Sequence, residues 1–133
     1  MPNKQDRDHN AKEWLKKAHQ DEISVLALLK NNIGSPSVVC FLSQQMAEKL
    51  LKAYLVHKVK DFPKIHQLDR LVKMCTEIDD SFEVLKDDAI YLTAFYVTTR
   101  YPGDYPDFNW KAAKSAGDSA KKIKNFVLSK INE

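Results

Sequence analysis

With three glycines in 133 residues, and no apolar/polar alternation sustained for more than a few positions, the chain lacks the raw material of strands and hairpins. Helices are favoured nearly everywhere. Cysteine is scarce too: Cys40 and Cys75 sit inside apolar helical patterns, with no CxxC spacing and no clustered histidines. Small buried thiols are therefore expected, with neither a metal site nor a disulfide. Charges break every apolar window well before the roughly 18 residues a membrane span needs, and the opening MPNKQDRDHNAKE has no apolar segment of the kind a secretory leader carries. A soluble cytoplasmic protein is expected, with no membrane contact. No internal repeat or low-complexity tract is present.

What the sequence does have is enough apolar residue, 44%, to build one core in a chain too short for two domains. Residues 1–10 are expected to be a disordered or frayed extension and 11–133 a single helical domain. The net charge of +3, from 21 Lys and Arg against 18 Asp and Glu, does not by itself indicate a nucleic-acid partner. Lysines crowd the C-terminal stretch (Lys111, Lys114, Lys121, Lys122, Lys124, Lys130), and acids crowd the middle (Asp79, Asp80, Glu83, Asp87, Asp88). Both read as solvated faces.

Five helical segments follow from the spacing. The first runs from about His9 to Asn32 on Trp14, Ala18, Val25 and Leu29, flanked by Leu15, Glu22 and Leu26, with Asp21 inside the apolar face and Gly34 closing it. Ser35-Pro36 opens the second, which continues to about His57. Residues 58–64 read as a loop, since Pro63 disfavours helix before it. A short helix then carries Leu68, Leu71, Val72 and Cys75. Asp79 or Asp80 caps a fourth on Phe82, Leu85, Ala89, Leu92 and Tyr96, which leads into Arg100 and is stopped by Pro102. The last spans about Asn109 to Ile131, on Ala113, Ala116, Ala120, Ile123 and Val127. An antiparallel, all-α bundle is the natural result.

Some polar residues lie beside the apolar stripes. In the second segment Phe41, Gln45, Glu48, Lys52 and Leu55 form a row next to Leu42, Met46 and Ala53, with Lys49 between the two. Such a row is an ordinary boundary if the lysine stems lie over apolar neighbours. Asp21, Arg100 and His66 add polar groups on other segments, and partly buried charges need partners. His66, at the entrance to the third helix, is either a capping or structural histidine or a proton donor and acceptor. Arg100 suits a helix C-terminus, where it meets unpaired carbonyls. TTRYPGDYPDF, residues 98–108, also sets Tyr101 and Tyr105 beside that guanidinium in a proline-stiffened loop, an arrangement suited to phosphate and base recognition or to a protein interface.

FLSQQMAEKLLKAYLV in the second segment, H-x-L-x-x-L at His66, Leu68 and Leu71, TRYP at 99–102 and WLKKAHQDEISVLALL in the first segment together resemble a bacterial or archaeal HEPN domain, over about residues 12–131. The resemblance implies an up-and-down bundle of about four to five helices, often paired as a homodimer through faces bearing the family's polar residues. It also implies nucleotide binding, partnership with a minimal nucleotidyltransferase in toxin-antitoxin-like operons and, in several branches, metal-independent RNA cleavage. The RNA-cleaving branches carry a histidine a few residues after the arginine, whereas no histidine follows Arg100 here. The expected protein is thus a non-enzymatic, nucleotide- or phosphate-binding module without metal or cofactor. In it Arg100 holds phosphate, Lys49 and Lys52 add charge, Gln45 and Glu48 position ligand or partner with Asp21 facing them, and Tyr101 and Tyr105 stack. The alternatives are a ribonuclease toxin using Arg100 and His66, and a purely structural dimer in which Arg100 pairs with Glu48 or Asp21.

Overall fold

The computed structural model describes residues 3–59, 64–98 and 108–132. These form α1 (Lys4–Asn31), α2 (Pro36–Lys58), α3 (Leu68–Ile78), a 3-10 segment (Asp80–Leu85), α4 (Lys86–Thr98) and α5 (Trp110–Ile131). No strand occurs among the described residues.

α2 is the axis of the bundle and touches α1, α3, α4 and α5. Its sequence makes this unavoidable, because every residue from Leu50 to Val56 is buried and a helix apolar on nearly all sides has to be surrounded. Pro36 takes the first turn, where its missing N–H costs no bond. Ser35 stands at the N-cap with extended backbone, but its side chain makes no capping bond.

α1 runs antiparallel to α2. Asp8 meets His57 at 3.1 Å near one end, and Asp21 meets Lys49 at 2.7 Å further along. The helix begins five residues earlier than its apolar spacing predicts, within the segment expected as an extension. The cause is Asn3, whose Oδ1 accepts from the Asp6 amide at 2.9 Å while its own amide donates back to the Asp6 carboxylate at 3.4 Å. At the other end Asn32, not Gly34, takes the left-handed cap conformation, at φ 47°, and its amide reaches the Leu28 carbonyl. Gly34 follows at φ 77°, inside the turn to α2.

α5 packs on α2 through Ala113, Ala116 and Ala120, all fully buried, whose small side chains let the helices approach closely, and through Ile123 and Val127 below them. Asn109 caps it by accepting from the Ala112 amide at 2.8 Å. The fourth segment opens as 3-10 turns and becomes α-helix only at Lys86. Asp79 starts it by accepting from the Ser81 amide and hydroxyl at 3.0 and 2.6 Å. Those bonds, with Lys130, hold the Asp79 carboxyl down at about 2. The basic and acidic stretches, expected as separate solvated faces, meet across the bundle: Lys130 reaches Asp79 and Lys122 reaches Asp88, each at 3.1 Å. Cys40 and Cys75 are buried and unpaired, and burial raises both thiols, Cys40 to about 11.

Glu22 ties α1 to α5. Burial alone would raise its carboxyl, but hydrogen bonds from Lys124 at 2.6 Å and His19 at 3.2 Å outweigh burial and hold it below its ordinary 4.5. A carboxyl lowered in the folded state contributes stability that is complete above that ordinary value and is lost as pH falls through the folded one. Glu22→Gln should therefore cost about 1 kcal/mol at pH 7, modest because Lys124 can turn to water. Urea unfolding at stepped pH should show the gap between parent and variant closing below about pH 4.5. A gap that is constant down to pH 3.5 would mean the pair adds nothing.

Candidate functional site

Gln44, Glu48 and Lys52 recur every fourth residue on α2, so they form one row along the helix. Glu48 is the hub. Its Oε1 accepts from Gln44 Nε2 at 3.1 Å, its Oε2 accepts from Lys52 Nζ at 2.9 Å, and His66 Nδ1 lies 3.1 and 3.2 Å from the two oxygens. Both members of the ion pair are interior, with side-chain exposures of 8% for Glu48 and 6% for Lys52. Lys52 Nζ also lies 5.7 Å from the centre of the Trp14 ring on α1.

His66 is positioned by several elements. Gln44 Nε2 donates to the His66 backbone carbonyl at 3.2 Å, which fixes the segment ahead of α3 on α2. The Leu68 amide donates to Thr93 Oγ1 at 2.9 Å, which ties the start of α3 to α4. The imidazole stacks on Tyr96 of α4 with centroids 4.3 Å apart and planes 11° from parallel, and Phe41 stacks beyond Tyr96 at 6.4 Å. With Nδ1 directed at a buried carboxylate and 46% of the side chain exposed, the ring bridges the interior and solvent. Its Nε2 has no hydrogen-bond partner among the described residues. A carboxylate on Nδ1 fixes the tautomer and orientation of an imidazole, leaving Nε2 to accept or donate a proton or to meet an anion. His66 does not cap α3: Gln67 holds the N-cap position.

Of the residues singled out from sequence, Glu48, Lys52 and His66 come together, and Gln45 joins at the edge by donating to Gln44 Oε1 at 2.6 Å. Lys49 and Asp21 form a separate pair between α2 and α1. Both lysines thus have carboxylate partners, so their charge is compensated locally. Arg100, Tyr101 and Tyr105 lie outside the described residues. Gln44, Trp14 and Tyr96 are members that the sequence reading did not assign to the site. The i, i+4, i+8 row of Gln, Glu and Lys was a signal for Gln44; Trp14 and Tyr96 read as core positions. No group of three or more His, Cys, Asp or Glu among the described residues could hold a metal ion, and no described helix is long and apolar enough to cross a membrane.

Fold and site together define an all-α bundle with a half-exposed histidine braced through Nδ1 by a buried carboxylate. A profile of the HEPN domain matches residues 11–131. The chain belongs to the HEPN domain family. The crystal structure of an archaeal HEPN homologue is similar at a TM-score of 0.73, with 24% identity over 91% of this chain and 97% of that one. At that identity the likeness is one of fold. No functionally curated protein matches the sequence.

Proposed function

We propose that this protein is a cytoplasmic, non-enzymatic nucleotide-binding HEPN module that acts as a homodimer and partners a minimal nucleotidyltransferase in a toxin-antitoxin-like pair. The observation that supports it best is the His66–Tyr96 stack on buried Glu48: a planar, half-exposed surface with a directed imidazole edge. Arg100 follows Thr98, the last described residue of α4, by two positions in the sequence. In this reading the guanidinium and His66 take the phosphates, while Tyr101 and Tyr105 take the base. Lys52 and Lys49 serve mainly to neutralise Glu48 and Asp21. Titration with nucleoside mono-, di- and triphosphates tests the reading, and a parent protein that binds none of them removes it.

The homodimer draws support from Phe41, Leu42 and Gln45, which are only half-buried on the same side of α2. Light scattering should give twice the chain mass at micromolar concentration, and a monomer there would refute the dimer. The nucleotidyltransferase partnership is carried over from the family resemblance.

Metal-independent RNA cleavage is the second reading, and the Glu48–His66 pair specifically favours it. A histidine braced by a carboxylate can take the 2′-hydroxyl proton while Arg100 stabilises the phosphorane. We nevertheless expect no cleavage, because the histidine that follows the arginine in the RNA-cleaving branches is missing. A labelled RNA panel between pH 5 and 9, with parent, His66→Ala and Arg100→Ala proteins, decides between them. Cleavage by the parent that both variants abolish would establish the ribonuclease.

A further inference from the structure

Away from the Glu48 cluster, α1 and α5 line a groove of about 840 Å³, with Leu29 seated close against Gly117 and Glu22 bonded to Lys124 along it. Its apolar surface comes from Val25, Leu26 and Leu29 on α1, Met46 on α2 and Trp110 on α5. Leu26 is 57% exposed within that lining, and Trp110 is half-buried. Lys30, Lys111, Lys114, Lys121 and Lys124 rim the groove, opposed among the described lining residues by Glu22 and Asp118. Lys124 is committed to Glu22, and Lys114 reaches Asp118 only at 3.7 Å on the exposed surface, a contact of little energetic weight.

The lining runs lengthwise along two helices. On α1 the lining follows the 22, 25, 26, 29, 30 spacing of one helical face, and on α5 it runs from Trp110 to Lys124. At a rise of about 1.5 Å per residue the α5 wall is about 21 Å long, the length of roughly four helical turns. A long apolar trough with a cationic rim is the complement of a helix bearing an apolar stripe flanked by carboxylates. We infer that the α1/α5 groove is a docking site for an acidic amphipathic helix of a partner protein. The inference does not depend on nucleotide binding, since no residue of the Glu48 cluster lines the groove.

A second copy of the chain is the competing occupant. Val84 and Ile90, 57% and 51% exposed, lie among Glu83 and Asp87 and could enter the groove. That contact joins two different faces, so it would build a ring or an open filament and not the two-fold homodimer proposed above, which favours a separate partner.

The probe is a fluorescein-labelled peptide of about 16 residues with leucines at i, i+3, i+4 and i+7 and glutamates on the flanks. Its controls are the same stripe flanked by lysines and a version interrupted by proline. Fluorescence anisotropy at low salt should show the acidic peptide binding at least about tenfold tighter than either control. Leu26→Asp, on an exposed side chain that the fold does not need, should weaken it by about tenfold or more, as should Lys114→Glu with Lys121→Glu. Absence of binding, equal binding of the lysine-flanked peptide, or insensitivity to Leu26→Asp would overturn the inference. So would self-association, seen by light scattering, that Leu26→Asp abolishes, because the groove would then be filled by a second copy.

Discussion

Glu48→Ala is expected to destabilise the protein by about 3 to 5 kcal/mol, the cost typical of removing one partner from a buried ion pair. The substitution takes the carboxylate from Lys52, whose ammonium is interior, and at the same time removes the acceptor used by Gln44 and His66. The Trp14 ring stays near the ammonium, and a cation over an aromatic ring, worth about 2 kcal/mol or more when desolvated, offsets part of the loss. Against a total stability of about 5 to 15 kcal/mol for a domain, the change is large. Glu48→Gln keeps the volume and one acceptor and should cost less. Glu48→Leu combined with Lys52→Met removes both charges and should recover most of the loss, because an apolar pair of similar size has no desolvation cost. Urea unfolding measures all three. A loss below about 1 kcal/mol in Glu48→Ala would mean that the pair behaves as an exposed one and that His66 is not anchored from inside.

Arg100→Lys is expected to weaken nucleotide binding by about tenfold or more while leaving the charge in place. A guanidinium offers two parallel donors in a rigid plane that match two phosphate oxygens, and an ammonium on a flexible stem cannot reproduce that fork. The loss should be greater for triphosphates than for monophosphates, because the wider spread of negative charge draws more on the cation. His66→Ala should weaken binding less, since its imidazole supplies one donor beside the stacking surface.

Much of the bundle could be read from residue order. The Ala113, Ala116, Ala120, Ile123, Val127 series is a single helical stripe, so α5 and its buried face follow from spacing alone. Pro36 marks the start of α2 for an equally local reason. The start of α1 was less legible, because the signal at Asn3 and Asp6 is a reciprocal side-chain bond with no apolar periodicity behind it. The site was legible only in part. Gln45, Glu48 and Lys52 stand out as polar residues beside a core stripe, but spacing cannot say which acid meets which lysine. Lys49 turns to Asp21 on α1, while Lys52 stays within α2 on Glu48. His66 reaches Glu48 because Gln44 and Thr93 fix the chain around it from two other helices, a consequence of tertiary packing that no local pattern encodes.

The central claim, that the Glu48–His66 cluster belongs to a nucleotide site, is tested most directly by calorimetric titration of the parent and Arg100→Lys proteins with nucleoside mono-, di- and triphosphates at low ionic strength. The reading predicts saturable binding by the parent, tighter with each added phosphate, and a loss of about tenfold or more in Arg100→Lys. Equal affinity of the two proteins, or no heat of binding from the parent with any nucleotide, would contradict it.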